Sequence, residues 1–194
     1  MRKIRMMEHI SLDGVIAPPG DDEYANGGWT APYRSPEGAA ATAEAQGDSF
    51  DLLLGRKTYD LWSGYWPKMS GGPFADKLNA ATKYIVTHRP ESLAWGPLGD
   101  LGADAIDGIR KLKSQDGPDL LIWGSASLTT VLLQQGLVDE IVLTVYPILL
   151  GKGKRCFSDS MDPREFAFVS SKSFPTGLLL NTYRHVGALR GASS

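Results

Sequence analysis

Cysteine is nearly absent: Cys156 is the single one in 194 residues. One thiol closes no intramolecular disulfide and builds no metal centre from several thiolates, and its isolation points to a reducing compartment. Charge of one sign is lacking too. Twenty Lys and Arg against 22 Asp and Glu leave a net −2, so no basic field attracts a nucleic-acid backbone or an anionic membrane. The longest apolar segments, such as Ile141 to Val145 and Ile148 to Leu150, fall far below the ~20 residues that span a bilayer. The first stretch, Met1-Arg2-Lys3-Ile4-Arg5-Met6-Met7-Glu8, lacks the uninterrupted apolar core of a signal peptide. A cytoplasmic protein with no nucleic-acid and no membrane partner is expected. No internal repeat, Walker loop, G-x-G-x-x-G or G-x-S-x-G elbow occurs.

What is there suits one globular core. Hydrophobic residues make up 42%, with five Trp, seven Tyr and six Phe, in a chain of one-domain length. Gly and Pro separate short apolar runs from helix-like patterns, the spacing of an α/β protein. Lys3 to Ile10 reads as a first strand, followed by Ser11-Leu12-Asp13-Gly14-Val15-Ile16-Ala17 and a polar surface loop to about Ser35. Ser35 as N-cap and Pro36 as first helical residue predict a helix ending at Gly47. Phe50 to Leu54 predicts a strand that turns at Gly55-Arg56-Lys57-Thr58 into a short helix. Tyr84 to Thr87 and the helix-spaced Ile106, Ile109 and Leu112 predict another βα unit. Leu120 to Trp123 runs into Gly124-Ser125-Ala126-Ser127 and a helix to Gly136. Then come a strand from Glu140 to Tyr146, a loop from Gly151 to Arg155, and two strands, Phe166 to Ser173 and Leu178 to Val186, joined by the hairpin turn Pro175-Thr176-Gly177. One domain over residues 1–187 and a frayed tail over 188–194 are expected.

Two strand-to-helix junctions carry the candidate chemistry. Arg56, Lys57 and Thr58 put two cations and a hydroxyl where unpaired N–H groups and the helix dipole favour an anion. The alternative is a solvated helix start with two surface cations. His88 and Arg89 close another strand; if the strands ending at Leu54 and Thr87 are neighbours, these residues form one cationic patch suited to a phosphorylated ribose. Trp123 to Leu128 offers small residues past which backbone approaches a pyrophosphate and Ser hydroxyls that donate to it, while close strand–helix packing explains them equally well. Asp13 fits a tight turn, and His9 either faces a cleft or is a satisfied core histidine. His9, His88 and His185 are too scattered for a metal site.

In this order Ser11 to Ala17, Gly55 to Thr58, Tyr84 to Thr87, Trp123 to Leu128, and Gly136-Leu137-Val138-Asp139-Glu140 leading to Pro147-Ile148-Leu149-Leu150-Gly151-Lys152-Gly153 resemble the dihydrofolate reductase fold. From about Lys3 to Val186 the chain is similar to the reductase domain of the bifunctional riboflavin-biosynthesis deaminase-reductases, as a stand-alone member. The resemblance implies a three-layer α/β architecture, with a mixed central sheet flanked by helices and a C-terminal antiparallel hairpin, and a homodimer. It implies NADPH as cofactor. Ile16 and Ala17 would lie against the nicotinamide with His9 facing the same cleft, and Gly55, Arg56, Lys57 and Thr58 on the adenosine-side phosphates. Thr87, His88 and Arg89 would meet the adenine and 2′-phosphate, and Trp123, Gly124, Ser125, Ala126, Ser127 and Leu128 the pyrophosphate.

The implied activity is hydride transfer to a C=N or C=O bond of a small heterocyclic or sugar-derived substrate, of the 5-amino-6-(5-phosphoribosylamino)uracil reductase type. Dihydrofolate reduction and NADPH binding without turnover are the alternatives. Candidates for proton transfer are His9, Asp13 and Glu37. Two positions depart from the family: Met7 stands where those reductases carry Lys, and Trp123 where they carry an acidic residue. Both departures imply a less charged, flatter substrate.

Overall fold

The computed structural model describes residues 1–17 and 28–191; part of the polar stretch expected as a surface loop and the end of the expected tail lie outside them. Parallel strands with continuous apolar runs need cover on both faces. β1 (Ile4–Ser11), β3 (Phe50–Gly55), β4 (Lys83–Val86), β5 (Leu98–Gly99), β6 (Asp119–Trp123), β7 (Glu140–Tyr146), β9 (Arg164–Ser173) and β10 (Leu179–Ala188) form one eight-stranded sheet, in the order β5-β4-β3-β6-β1-β7-β10-β9. The strands from β5 to β7 are parallel, and β10 and β9 are antiparallel additions. A separate two-stranded ribbon pairs β2 (Val15–Ala17) with β8 (Lys154–Arg155).

Strand alternation sorts the side chains into two cores. Met6, Leu53, Leu120, Ile122 and Ile141 pack with Ile109 and Leu112 of α4 (Ala105–Ser114) and with Leu128, Leu132 and Leu133 of α5 (Ala126–Gln134). Met7, Leu52, Leu54, Leu121, Trp123 and Val142 belong to the other core. It also holds Ala41 of α1 (Pro36–Gln46), Tyr59 and Trp62 of α2 (Arg56–Ser63) and Leu78 of α3 (Pro73–Ala80). The architecture is the three-layer, mixed-sheet α/β fold with a C-terminal hairpin.

Local chemistry sets the helix ends. Ser35 Oγ accepts the Gly38 N–H at 3.0 Å, and Gly47, at φ 86°, stops α1. Some elements differ from the expectation. The 3-10 segment Gly28–Tyr33 and α3 lie where no element was expected. Lys154 and Arg155 are strand rather than loop, because the Cys156 N–H donates to the Gly14 carbonyl at 2.9 Å and brings β8 alongside β2. The last strand runs on through Gly187 and Ala188, paired with Glu165 and Arg164.

β1 and β6 are neighbours, yet the chain leaves β1 towards β3 and leaves β6 through α5 towards β7, on the opposite side. Open α/β sheets hold their ligand crevice beyond the carboxyl ends of strands at such a reversal.

Candidate active site

At that crevice a cleft opens in two lobes of about 340 and 360 Å³. The first is lined by Glu8 and His9 of β1, Ile16 and Ala17 of β2, Lys57 and Thr58 of α2, and Trp123, Gly124 and Ser125 at the β6–α5 junction. The second is walled by Tyr33, Trp62, Trp66, Phe74, Tyr146 and Phe174. His9, Arg34, Trp62 and Trp123 line both and mark where the lobes meet. Met7 lines neither; it is buried in the core beside Trp123, its partner in the β1–β6 register.

The two junctions read from the sequence meet and are tied together. Ser125 Oγ accepts the Gly55 N–H at 3.0 Å and donates to the Trp123 carbonyl at 3.1 Å, while the Ser125 N–H donates to Thr58 Oγ1 at 3.0 Å. Gly124 and Ser125 both have left-handed backbone, φ 56° and 51°. A Cβ on Gly124 would stand 3.3 Å from Thr58 Oγ1, so glycine lets the two turns close. The expected donation of the Ser125 hydroxyl to a pyrophosphate is therefore corrected: that hydroxyl is engaged by the Trp123 carbonyl, and Ala126 and Leu128 are buried. Ser127 is exposed in the first turn of α5, where the Leu128 N–H already donates to the Ser125 carbonyl at 2.8 Å.

β3 and β4 are neighbours, with Gly55 opposite Val86, so the cationic residues do share an edge. Lys57 lines the first lobe; His88 and Arg89 are exposed beyond it, and Thr87 Oγ1 accepts the Arg89 N–H at 3.1 Å. Arg56 is engaged by Asp60 at 2.7 Å, by Ser92 Oγ at 2.6 Å and by the Arg89 carbonyl at 3.1 Å, fastening the turn after β4 to α2.

Asp13 and Glu37 are not brought into either lobe. The Asp13 carboxylate accepts from Ser11 Oγ at 2.6 Å and from the N–H groups of Leu150 and Gly151 at 3.0 and 2.7 Å. These bonds, Ser11's foremost, pull its pKa to about 2; it is a clamp between the β1–β2 turn and the loop after β7. Glu37 is exposed in the first turn of α1.

His9 is brought in. Its Nδ1 lies 3.0 Å from Tyr146 Oη, and its ring packs on Trp123 and Tyr146 with centroids 5.3 and 5.4 Å away. Burial, aided by the charge of Arg34, lowers its pKa from 6.5 to about 4, so it is neutral at pH 7. Glu8 stands beside it, 6% exposed, with Oε2 lacking a hydrogen-bond partner among the described residues. Burial raises its pKa from 4.5 to about 8, outweighing the amides of His9 and Gly124 and the charge of Lys154.

The two shifts predict an unusual pH profile. From about pH 4.5 to 6.5 the folded chain holds an extra proton on Glu8 and the unfolded chain one on His9, so their slopes cancel. From 6.5 to 8 Glu8 acts alone, and stability falls as pH rises. At about 1.4 kcal/mol per unit the loss is about 2 kcal/mol, or about 5 °C in Tm. Buried Lys83, lowered to about 8, acts in the opposite sense only above that pH. Glu8→Gln is expected to flatten the fall; a wild-type Tm unchanged between pH 6.5 and 8 would show that Glu8 ionises normally.

Sequence reasoning missed Glu8, Arg34, Tyr146 and Lys154 as site residues. For Glu8 a signal existed, an acid between apolar neighbours on an inner strand. Tyr146 had none, since only the register of β7 on β1 sets it opposite Ser11, near His9.

Fold and site together define an α/β domain of dihydrofolate reductase architecture with a two-part cleft at the sheet reversal. The chain belongs to the RibD C-terminal domain family, whose model matches residues 2–180. It is 30% identical over 141 residues to the Bacillus subtilis (strain 168) protein YyaP, covering 70% of this chain and 74% of that one. A crystal structure of a Shewanella sp. PV-4 protein assigned to riboflavin biosynthesis is similar at a TM-score of 0.70 and 22% identity, over 95% of this chain and 99% of that one. Dihydrofolate reductase from Enterococcus faecalis, complexed with NADP(H), is similar at a TM-score of 0.60 and 16% identity, over 94% and 96%. These two likenesses establish the fold, and membership of the RibD C-terminal domain family supports an oxidoreductase.

Proposed function

We propose that the protein is a cytoplasmic, NADPH-dependent reductase acting on a small, flat heterocycle. The observation that carries this reading is the two-lobed cleft whose lobes meet at His9 and Trp123. When bound in the first lobe, NADPH supplies a hydride. The residues there fit it: a Gly–Ser turn that backbone contacts approach closely, an orphaned buried carboxyl oxygen on Glu8, and Lys57. Ile16 and Ala17 flank the ring, the first turn of α5 meets the pyrophosphate, and His88 and Arg89 meet the 2′-phosphate. Trp66, Phe74 and Phe174 wall the second lobe and exclude water from a planar substrate. His9 and Tyr146 hold the proton. Tyr146 Oη gives it to the substrate atom that gains charge, and neutral His9 returns a proton from Nδ1 to the phenolate as its Nε2 takes one up from solvent water, so that the ring stays neutral.

Calorimetry tests the cofactor. Each charge-assisted bond to a phosphate contributes about 1.5–3 kcal/mol, so NADPH is expected to bind at least about tenfold more tightly than NADH. Equal affinities overturn the choice of cofactor, and binding of neither overturns the reading itself.

Assembly belongs to the same proposal. β9 is the longer of the two edge strands of the sheet, and its Phe168 and Val169 are 65% and 50% exposed. Apolar edge strands invite cover by another chain, and a homodimer is expected. Light scattering should give twice the 21.0 kDa chain mass; a monomer mass at micromolar concentration counts against it.

A further inference from the structure

Glu8 is the residue of the cleft that packing does not explain. Its flanking residues on the same face of β1, Met6 and Ile10, are ordinary members of the core, and an apolar side chain at this position would suit the packing better. Instead a carboxyl is buried there, on which the backbone amides of His9, at 3.2 Å, and of Gly124 act, while Oε2 has no partner within hydrogen-bond distance among the described residues. Leaving a buried polar atom unpaired destabilises the chain without a ligand. Such a group persists where something bound completes it. It lies in the first lobe and not in the second, so it faces the cofactor's side of the cleft rather than the substrate's.

We propose that Glu8 recognises the carboxamide of the nicotinamide ring, its two carboxyl oxygens pairing with the N–H and the carbonyl of that amide. The inference rests on the nicotinamide reading above. The chemistry is complementary: burial keeps the carboxyl protonated at neutral pH, so it carries an O–H donor and a carbonyl acceptor, the reverse of a primary amide's acceptor and donor. Two hydrogen bonds then close one ring, and they fix which face of the nicotinamide is turned towards the meeting point of the lobes at His9 and Trp123. Glu8 moves no proton to the substrate in this role. It is a positioning residue for the cofactor, held on the rigid strand β1 rather than on a loop.

The test uses the full chain, calorimetry and thermal unfolding, with NADPH and its 3-acetylpyridine analogue, which keeps the carbonyl and lacks the N–H. The wild type is expected to bind the analogue at least about fivefold more weakly than NADPH. Glu8→Met should bind NADPH about tenfold more weakly, lose the discrimination between the two, and unfold at a higher temperature than the wild type when no ligand is present. Glu8→Gln, which keeps a donor and an acceptor, should retain NADPH affinity within about threefold. NADPH bound equally by wild type and Glu8→Met, or no discrimination by the wild type, overturns the assignment while leaving the cofactor reading intact. Failure of the wild type to bind NADPH at all overturns the cofactor reading and this assignment with it.

Discussion

Trp123→Ala is expected to unfold about 10 °C below the parent chain and to raise KM for a planar substrate by about 2- to 10-fold. Trp123 is 5% exposed, shares a core with Met7, Leu54 and Val142, and lines both lobes of the cleft. Removing a buried indole forfeits its transfer free energy and leaves a cavity, together about 3–5 kcal/mol. In a chain of this length each kcal/mol moves Tm by about 2–4 °C. The indole Nε1 has no hydrogen-bond partner among the described residues, so Trp123→Phe breaks none of their bonds and is expected to cost distinctly less. Either ring stacks on a flat substrate, for about 0.5–1.5 kcal/mol, whereas Ala does not, so KM should rise in the Ala variant alone. Calorimetric scanning that shows less than about 2 °C of loss for Trp123→Ala would remove it from the core. Wild-type turnover of the phosphoribosylaminouracil intermediate with kcat/KM above about 10⁴ M⁻¹s⁻¹ would show that an indole at this position tolerates a charged substrate.

Tyr146→Phe should slow turnover about 100-fold, with KM and NADPH affinity nearly unchanged. The ring is held by Trp29, Tyr33 and His9, with centroids 4.7, 5.6 and 5.4 Å away, and Phe keeps those contacts. Only the hydroxyl, 3.0 Å from His9 Nδ1, is lost. A positioned proton donor contributes about 10²–10⁴-fold, and a loss confined to kcat is the mark of a group that acts in the transition state. Steady-state kinetics in light and heavy water would check it. A kcat within about threefold of the parent, with the solvent isotope effect preserved, would mean that water supplies the proton without Tyr146.

The strand-to-helix junctions were legible because glycine, serine and threonine have short-range meaning: they mark turns, caps and close approaches wherever they fall. The roles of the individual side chains were less so. Ser125 carries a hydroxyl suited to a phosphate, yet that hydroxyl reaches the Trp123 carbonyl first. Arg56 carries a charge suited to a phosphate, yet Asp60, one helical turn away, pairs with it; that i,i+4 spacing was visible in the chain. Asp13 was readable as a turn residue, but its partners Leu150 and Gly151 lie more than a hundred residues further on.

Amino-acid order by itself determined the class of fold, the ends of α1 and the two glycine junctions, since periodicity, capping and turn chemistry act over a few residues. Only the tertiary structure decided which groups meet in the cleft: Glu8 with Lys154 and Gly124, and His9 with Tyr146 and Trp123. It also decided their protonation, neutral for both Glu8 and His9 at pH 7. A carboxyl or an imidazole takes its charge state from the water it loses and the charges it gains, and both are set by strands and loops that the chain brings together from far apart.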